Sequence, residues 1–222
     1  MKFKFDYPEL MTETVNGMRI YITPQGGAYP SITTVLGKTM PEEKVKALAN
    51  WANAIGQLNA KKKTQDAADR GTAVHTLIER FLNGEEEFSS SEFSAEALNM
   101  FNALKVKLKK IDEIWCQEVG LYSDLLALAG RVDCIGVYKG EEAIIDFKTS
   151  SRLKSQEDIE DYRFQLCAYA LMHNEMFGTN INKGVILMTS AAGFPQEFHV
   201  DLMPYVDRLF DRVQDFYKKM AL

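Results

Sequence analysis

Residues Ile144–Ser150 read "IIDFKTS", and that stretch decides how the rest of the chain is read. Side chains alternate along a strand with period 2, so Asp146 and Lys148 share a face. The face starts apolar at Ile144, then carries a carboxylate and an ammonium, and Thr149 and Ser150 follow at the exit. An ordinary half-buried strand keeps one face apolar and the other solvated. Charge entering an apolar face marks a strand whose end opens into a cleft.

The run before it, "LAGRVDCIGVY" (Leu128–Tyr138), is separated from "EEAIIDFKTS" (Glu141–Ser150) by Lys139-Gly140 alone. A two-residue loop makes the two runs a hairpin in which Tyr138 faces Glu141. Pairing then proceeds by constant sum and sets Asp133 across from Asp146. Opposed residues have Cβ atoms about 5 Å apart, and like charges there are destabilising. A divalent cation relieves them, because Mg²⁺ is held by one or two carboxylates together with waters and substrate phosphate oxygens. Lys148 adds a further positive charge on the same face. A lone D-x-K is most often a solvated ion pair; the opposed Asp133, the apolar approach and the polar exit are what argue for a site.

Outward from this hairpin, the order of elements suggests an α/β fold: a mixed β-sheet core flanked by helices. Asn16-Gly17 between alternating residues predicts an early hairpin. Helices are expected just after Pro30, from about Pro41, from about Thr64 to Leu82, and from near Ser94. Pro41 followed by Glu42 and Glu43 suits a first helical turn. From Asp112 three strand-like runs follow, then a long helix over "SQEDIEDYRFQLCAYALMHNEMFG". Strands "KGVILMTS" and "QEFHVDL" and a last helix from about Pro204 to Lys219 complete the order. Without a linker the chain reads as one domain over 1–222, about 1–111 mostly helical and about 112–222 the α/β catalytic core.

Two helical pieces share the chemistry. His75 and Glu79 are four apart on the third helix, and Gly71 on that helix allows close approach. A neutral imidazole is a candidate metal ligand, although a lone half-buried histidine is more often structural. Gln165 and Tyr169 are four apart on the long helix, candidates to orient a phosphate or a lysine; taken alone, a buried tyrosine capped by a glutamine explains them better. His173 falls where a helix C-terminus welcomes a cation. His199, between Glu197 and Asp201, reads as part of a solvated strand face.

The 222 residues, 46% hydrophobic and 26% charged, suit a globular chain. The longest apolar runs are too short to cross a bilayer, so no membrane association is expected. "MKFKFDYPEL" lacks a signal-peptide apolar run and the Arg- and Ser-rich character of a transit peptide. An intracellular protein is expected, of a bacterial cytoplasm or a phage-infected host, or a mitochondrial one whose transit peptide was removed. Cys116, Cys134 and Cys167 are odd in number and widely spaced, which fits buried free thiols and not a disulfide framework or zinc site. The net charge of −5 argues against wholesale nucleic-acid coating and leaves room for a local basic groove.

Together "GTAVH", "GRVD", "IIDFKTS" and "QLCAY" resemble, in order, the elements of a PD-(D/E)xK nuclease of the RecB-like kind. "YPSITTVLGKTMP" and "IDFKTSSRLK" are similar to the group that holds the mitochondrial genome maintenance exonuclease and its phage and bacterial relatives. The resemblance implies a restriction-endonuclease-like fold with an N-terminal helical arch. It also implies that His75, Asp133, Asp146 and the backbone carbonyl of Phe147 hold Mg²⁺ or Mn²⁺, with Glu118 in a supporting position. Lys148 would act on the attacking water and the phosphate, supported by Gln165 and Tyr169. Thr149, Ser150 and Arg70 would contact the nucleic acid. Asp146 stands where the family more often has Glu, and no cysteine follows Cys167, so no iron–sulfur cluster is expected.

The function implied is a metal-dependent DNA exonuclease acting on single strands or free ends, in DNA replication, repair or recombination. Lys61–Lys63 and Lys105–Lys110 are further candidates for phosphate contact, and Trp51 and Tyr29 for base stacking. The competing readings are a flap- or branch-cutting endonuclease and a non-catalytic nucleic-acid-binding subunit; intact Asp133, Asp146 and Lys148 argue against the latter.

Overall fold

The computed structural model describes residues 3–221. The early hairpin is β1 (Met11–Val15) and β2 (Met18–Ile22), joined by Asn16 and Gly17 at φ 51° and 74°. Those positive values at both central residues are what a tight right-twisted hairpin requires. Strand β3 (Ala28–Pro30) completes a three-stranded sheet. Helix α1 (Ile32–Lys38) starts at Ser31, whose Oγ accepts the Thr34 N–H at 3.0 Å. Helices α2 (Glu42–Ile55), α3 (Gln57–Leu82) and α4 (Ala95–Leu108, capped by Ser94) follow.

The second half is β4 (Ile111–Ser123), β5 (Leu128–Tyr138), β6 (Glu141–Ser150), α5 (Glu160–Phe177), β7 (Lys183–Ser190), β8 (Pro195–Asp201) and α6 (Val206–Met220). The sheet order is β4-β5-β6-β7-β8. All neighbours are antiparallel except β6 and β7, which run parallel and are joined by the α5 crossover. A parallel neighbour needs such a crossover, because a hairpin cannot reverse the chain twice.

Helices cover both faces. Ala143, Ile145 and Phe147 of β6, with Val185 and Leu187 of β7, pack against Val74, Leu77 and Ile78 of α3 and Met100, Phe101 and Leu104 of α4. Ile144, Ile186 and Met188 face α5, α6 and α1 on the other side. Strand β6 is therefore apolar on both sides until Asp146, which explains the unbroken run before the charged residues.

Helix α3 begins at Gln57, earlier than the expected Thr64. Its first turns are exposed, so no apolar period announced them, and only Gly56, at φ 85°, separates them from α2. Helix α2 buries none of its residues and is tied across to α5 by Lys44 and Asp161 at 3.2 Å. Lys107 and Lys110 do not face a groove: both approach Glu197 on β8, with Lys139 and His199. Burial opposes the charge on Glu197, but the hydrogen bonds from these neighbours hold its carboxyl well below the usual range. Tyr29 donates to Asp124 at 2.7 Å and is not a free platform.

His173 is not a solvated cation at a helix end. It is fully buried, bonded to Tyr7 Oη at 3.0 Å and to Thr179 Oγ1 at 2.7 Å, among Phe5, Trp115 and Phe177. Burial, with Lys4 nearby, pushes its pKa down to about 4. The unfolded chain takes up this proton near pH 6.5 and the folded chain only near 4. Stability is therefore expected to fall on acidification through that window, by up to about 3 kcal/mol. Urea unfolding at pH 7 and pH 4.5 checks this, and His173→Gln should lose less between the two. Gly136→Ala would place a Cβ 2.0 Å from the Glu113 carbonyl oxygen on β4. That variant is expected to lose about 2 kcal/mol or more by the same measurement.

Candidate active site

The β5–β6 ladder follows the constant-sum register from Tyr138 and Glu141 to Cys134 and Ile145, and there it stops. Asp133 and Asp146 lie one step beyond, where the strands part. Asp133 Oδ2 accepts the Phe147 N–H at 2.8 Å, replacing the ladder bond the backbone would have made. The Phe147 carbonyl, on the same edge, meets His75 Nε2 at 2.9 Å. One residue of β6 thus contacts Asp133 through its N–H and the α3 histidine through its C=O.

On the other flank of Asp133, β4 and β5 pair at Gln117–Cys134 and Val119–Val132. The same register sets Glu118 across from Asp133. Glu118 adopts φ 50°, a left-handed conformation costing a non-glycine residue roughly 1 kcal/mol. His75 Nδ1 lies 3.8 Å from both Glu118 Oε1 and Asp133 Oδ1. His75, Glu118 and Asp133 are the one His/Cys/Asp/Glu group of metal-holding geometry among the described residues. Glu118 thus stands in one cluster with His75 and Asp133, and its left-handed φ is visible only in the structure.

Asp146 and Lys148 form a separate unit. Lys148 Nζ donates to Asp146 Oδ1 at 2.5 Å, while Asp146 Oδ2 is buried and has no hydrogen-bond partner. Burial raises the Asp146 pKa to about 6 against the pull of Lys148. Burial opposes the Lys148 charge, yet Asp146 and Asp133 hold its pKa above the ordinary value. For His75, burial favours the neutral ring, but Asp133 and Glu118 outweigh it and raise the pKa. The Tyr162 ring stands 5.3 Å from Lys148 Nζ, a contact the sequence reading did not include. It is three residues before Gln165 on the same helix, which is the signal that could have found it.

Gln165 Nε2 donates to Tyr169 Oη at 3.1 Å, and Tyr169 is buried with its pKa pushed well up by burial. Gly130, of "GRVD", makes room: a Cβ there would lie 2.8 Å from the Tyr169 ring. Gly71 lies over Thr149, where an added Cβ would meet Oγ1 at 3.6 Å, ordinary contact, so close approach does not demand glycine there. Thr149, Ser150 and Arg70 line a cleft of about 660 Å³ with Trp51, Lys63, Lys154 and Tyr162. Arg70 also pairs with Glu96 at 3.5 Å. His75, Glu79 and Glu118 border a second cleft of about 400 Å³ on the other side of α3.

The donors suit a hard divalent cation: carboxylates at Glu118 and Asp133, a carbonyl at Phe147, one imidazole, and the unpartnered Asp146 Oδ2 nearby. The three cysteines are buried thiols, and Cys134, next to Asp133 on β5, lies in the core under α3 and α4.

The chain is similar to mitochondrial genome maintenance exonuclease 1. It is 25% identical to the human protein over 182 residues, covering 79% of this chain and 53% of that one. Against the Xenopus tropicalis protein it is 25% identical over 204 residues, covering 87% and 58%. The chain spans little more than half the length of these curated relatives. A crystal structure of an exonuclease-described protein from Eubacterium rectale shares the fold, with TM-score 0.50 at 13% identity over 68% of this chain and 66% of that one. Residues 92–197, which hold Glu118, Asp133, Asp146, Lys148, Gln165 and Tyr169, match the model of the PD-(D/E)XK nuclease superfamily.

Proposed function

We propose that this chain, one nuclease domain over 1–222, is a divalent-metal-dependent nuclease hydrolysing DNA phosphodiester bonds. It acts as an exonuclease on single strands or free ends, in DNA replication, repair or recombination. The observation that carries the reading is the convergence of His75, Glu118, Asp133 and the Phe147 carbonyl beside a buried Asp146–Lys148 pair, all but His75 within the residues that match the nuclease superfamily. The name of its relatives supports the exonuclease part.

Asp133, Glu118, His75 and the Phe147 carbonyl would hold Mg²⁺ or Mn²⁺, with Asp146 contributing Oδ2. A bound ion polarises the phosphoryl oxygen and acidifies water. Lys148 brings positive charge to the place where the phosphate gains negative charge on attack, and its low-dielectric setting strengthens that interaction. Asp146 and Tyr162 keep the ammonium from wandering into solvent. Gln165 and Tyr169 pack beneath Asp133 and Gly130 and fix the floor of the site.

The cleft beside α2 supports a single strand. Trp51 and Tyr162 offer faces for bases, Lys63, Arg70 and Lys154 offer charge, and Thr149 and Ser150 offer donors to phosphate. Helix α2, standing off the sheet, would be the arch over a threaded strand.

The decisive experiment uses a single-stranded oligonucleotide labelled separately at each end, with Mg²⁺, Mn²⁺ or EDTA. Metal-dependent trimming is expected, and Lys148→Ala should lower the rate by about 10²-fold or more while binding persists. Wild-type protein that binds without cutting in either metal would instead identify a binding subunit. Calorimetry with Mn²⁺ provides an independent check: His75→Ala and Glu118→Gln should each weaken binding by about tenfold or more.

A further inference from the structure

The chain has eight arginines, and among the described residues six of them have partners. Arg70 pairs with Glu96, Arg80 with Glu85 and Glu92, Arg152 with Asp158, and Arg208 with Glu160; Arg163 bonds Gln156 and Arg212 bonds Thr39. Arg19 and Arg131 have none, and both are exposed. They come from different sheets, β2 and β5, yet they line one cleft of about 210 Å³ with Asp133, Glu118, Gln165 and Tyr169.

That juxtaposition is built. The Ser31 N–H donates to the Arg19 carbonyl at 2.9 Å, and Ser31 also bridges to Ala129 of β5, next to Gly130 and Arg131. The small N-terminal sheet, whose first strand is exposed along its whole length, is thereby held so that Arg19 lines the same cleft as Glu118 and Asp133. Two guanidinium groups share a small cleft, and neither is within ion-pair distance of Glu118 or Asp133, the nearby acids. Like charges placed together call for an anion between them, the counterpart of the carboxylate cluster that calls for a cation. A guanidinium fork matches phosphate oxygens in two parallel hydrogen bonds.

We propose that Arg19 and Arg131 form a phosphate clamp, taking a nucleic-acid phosphate next to the scissile one on the side of the carboxylates away from the α2 cleft. The clamp rests on the nuclease reading above and extends it, assigning the N-terminal sheet to substrate placement. Its occupant is either an internal phosphate or the phosphate at a chain end.

The test uses the full chain with Arg19→Ala, Arg131→Ala and the two Arg→Lys variants, on single-stranded oligonucleotides with Mn²⁺. KM is expected to rise about tenfold or more in each Ala variant with kcat less affected, since the lost contact serves binding. Each should also reduce the slope of log affinity against log salt by about 0.7. Lys should restore the salt slope but not the full KM, because the fork is lost. A methylphosphonate scanned along the oligonucleotide, and ends with or without a phosphate, locate the clamped group. At that position the wild type loses binding and Arg19→Ala loses nothing further. Loss tied to the terminal phosphate assigns the chain end, and loss tied to an internal methylphosphonate assigns the flanking phosphate. Ala variants that cut with unchanged KM and salt slope overturn the clamp while leaving the nuclease reading standing. Wild-type protein that neither binds nor cuts overturns both.

Discussion

The site depends on one hydrogen bond, from the Phe147 N–H to Asp133 Oδ2 at 2.8 Å. It sits where β5 and β6 cease to pair, so a side chain takes the place of a backbone acceptor. A buried backbone N–H left without a partner costs about 1–3 kcal/mol, which makes the substitution obligatory once the strands diverge. The bond orients Asp133, leaves its other oxygen to face His75, and aims the Phe147 carbonyl at the same imidazole.

Around that point the architecture is arranged to bring chemistry from far parts of the chain. The α3–α4 layer must cover one face of the sheet to bury Ile145, Phe147 and Leu187, and that packing is what delivers His75. The α5 crossover must connect two parallel strands, and it delivers Tyr162, Gln165 and Tyr169 under the same strand ends. The point where the β5–β6 ladder gives out is where polar side chains compensate, so hydrophobic covering and polar completion meet there.

The constant-sum pairing placed Asp133 and Asp146 by register, and the structure modifies that placement. Asp133 and Asp146 are indeed at matching register positions, but the ladder ends before them, and each finds its own partner: Phe147 N–H and His75 for one, Lys148 for the other. An imidazole, an ammonium and a backbone donor thus divide between them what a flat hairpin would have concentrated.

Much was legible in the residues alone. Alternation and two-residue loops located both hairpins and all five strands of the main sheet, because register and turn chemistry are local. Pro30, Ser94 and the Glu42-Glu43 turn marked helix starts for the same reason. What sequence could not determine depends on contacts between distant segments or on uncovered backbone. The first turns of α3 are exposed and carry no apolar period, so the helix start was placed too late. His173 looked like a cation at a helix end until aromatic packing from the N-terminal residues buried it neutral. The approach of Glu118 to His75 and Asp133 comes from strand pairing across β4 and β5, and the meeting of Arg19 with Arg131 in one cleft from docking of two sheets. Periodicity and turn chemistry act over a few residues; burial, strain and charge pairing across the fold are set only when the layers close.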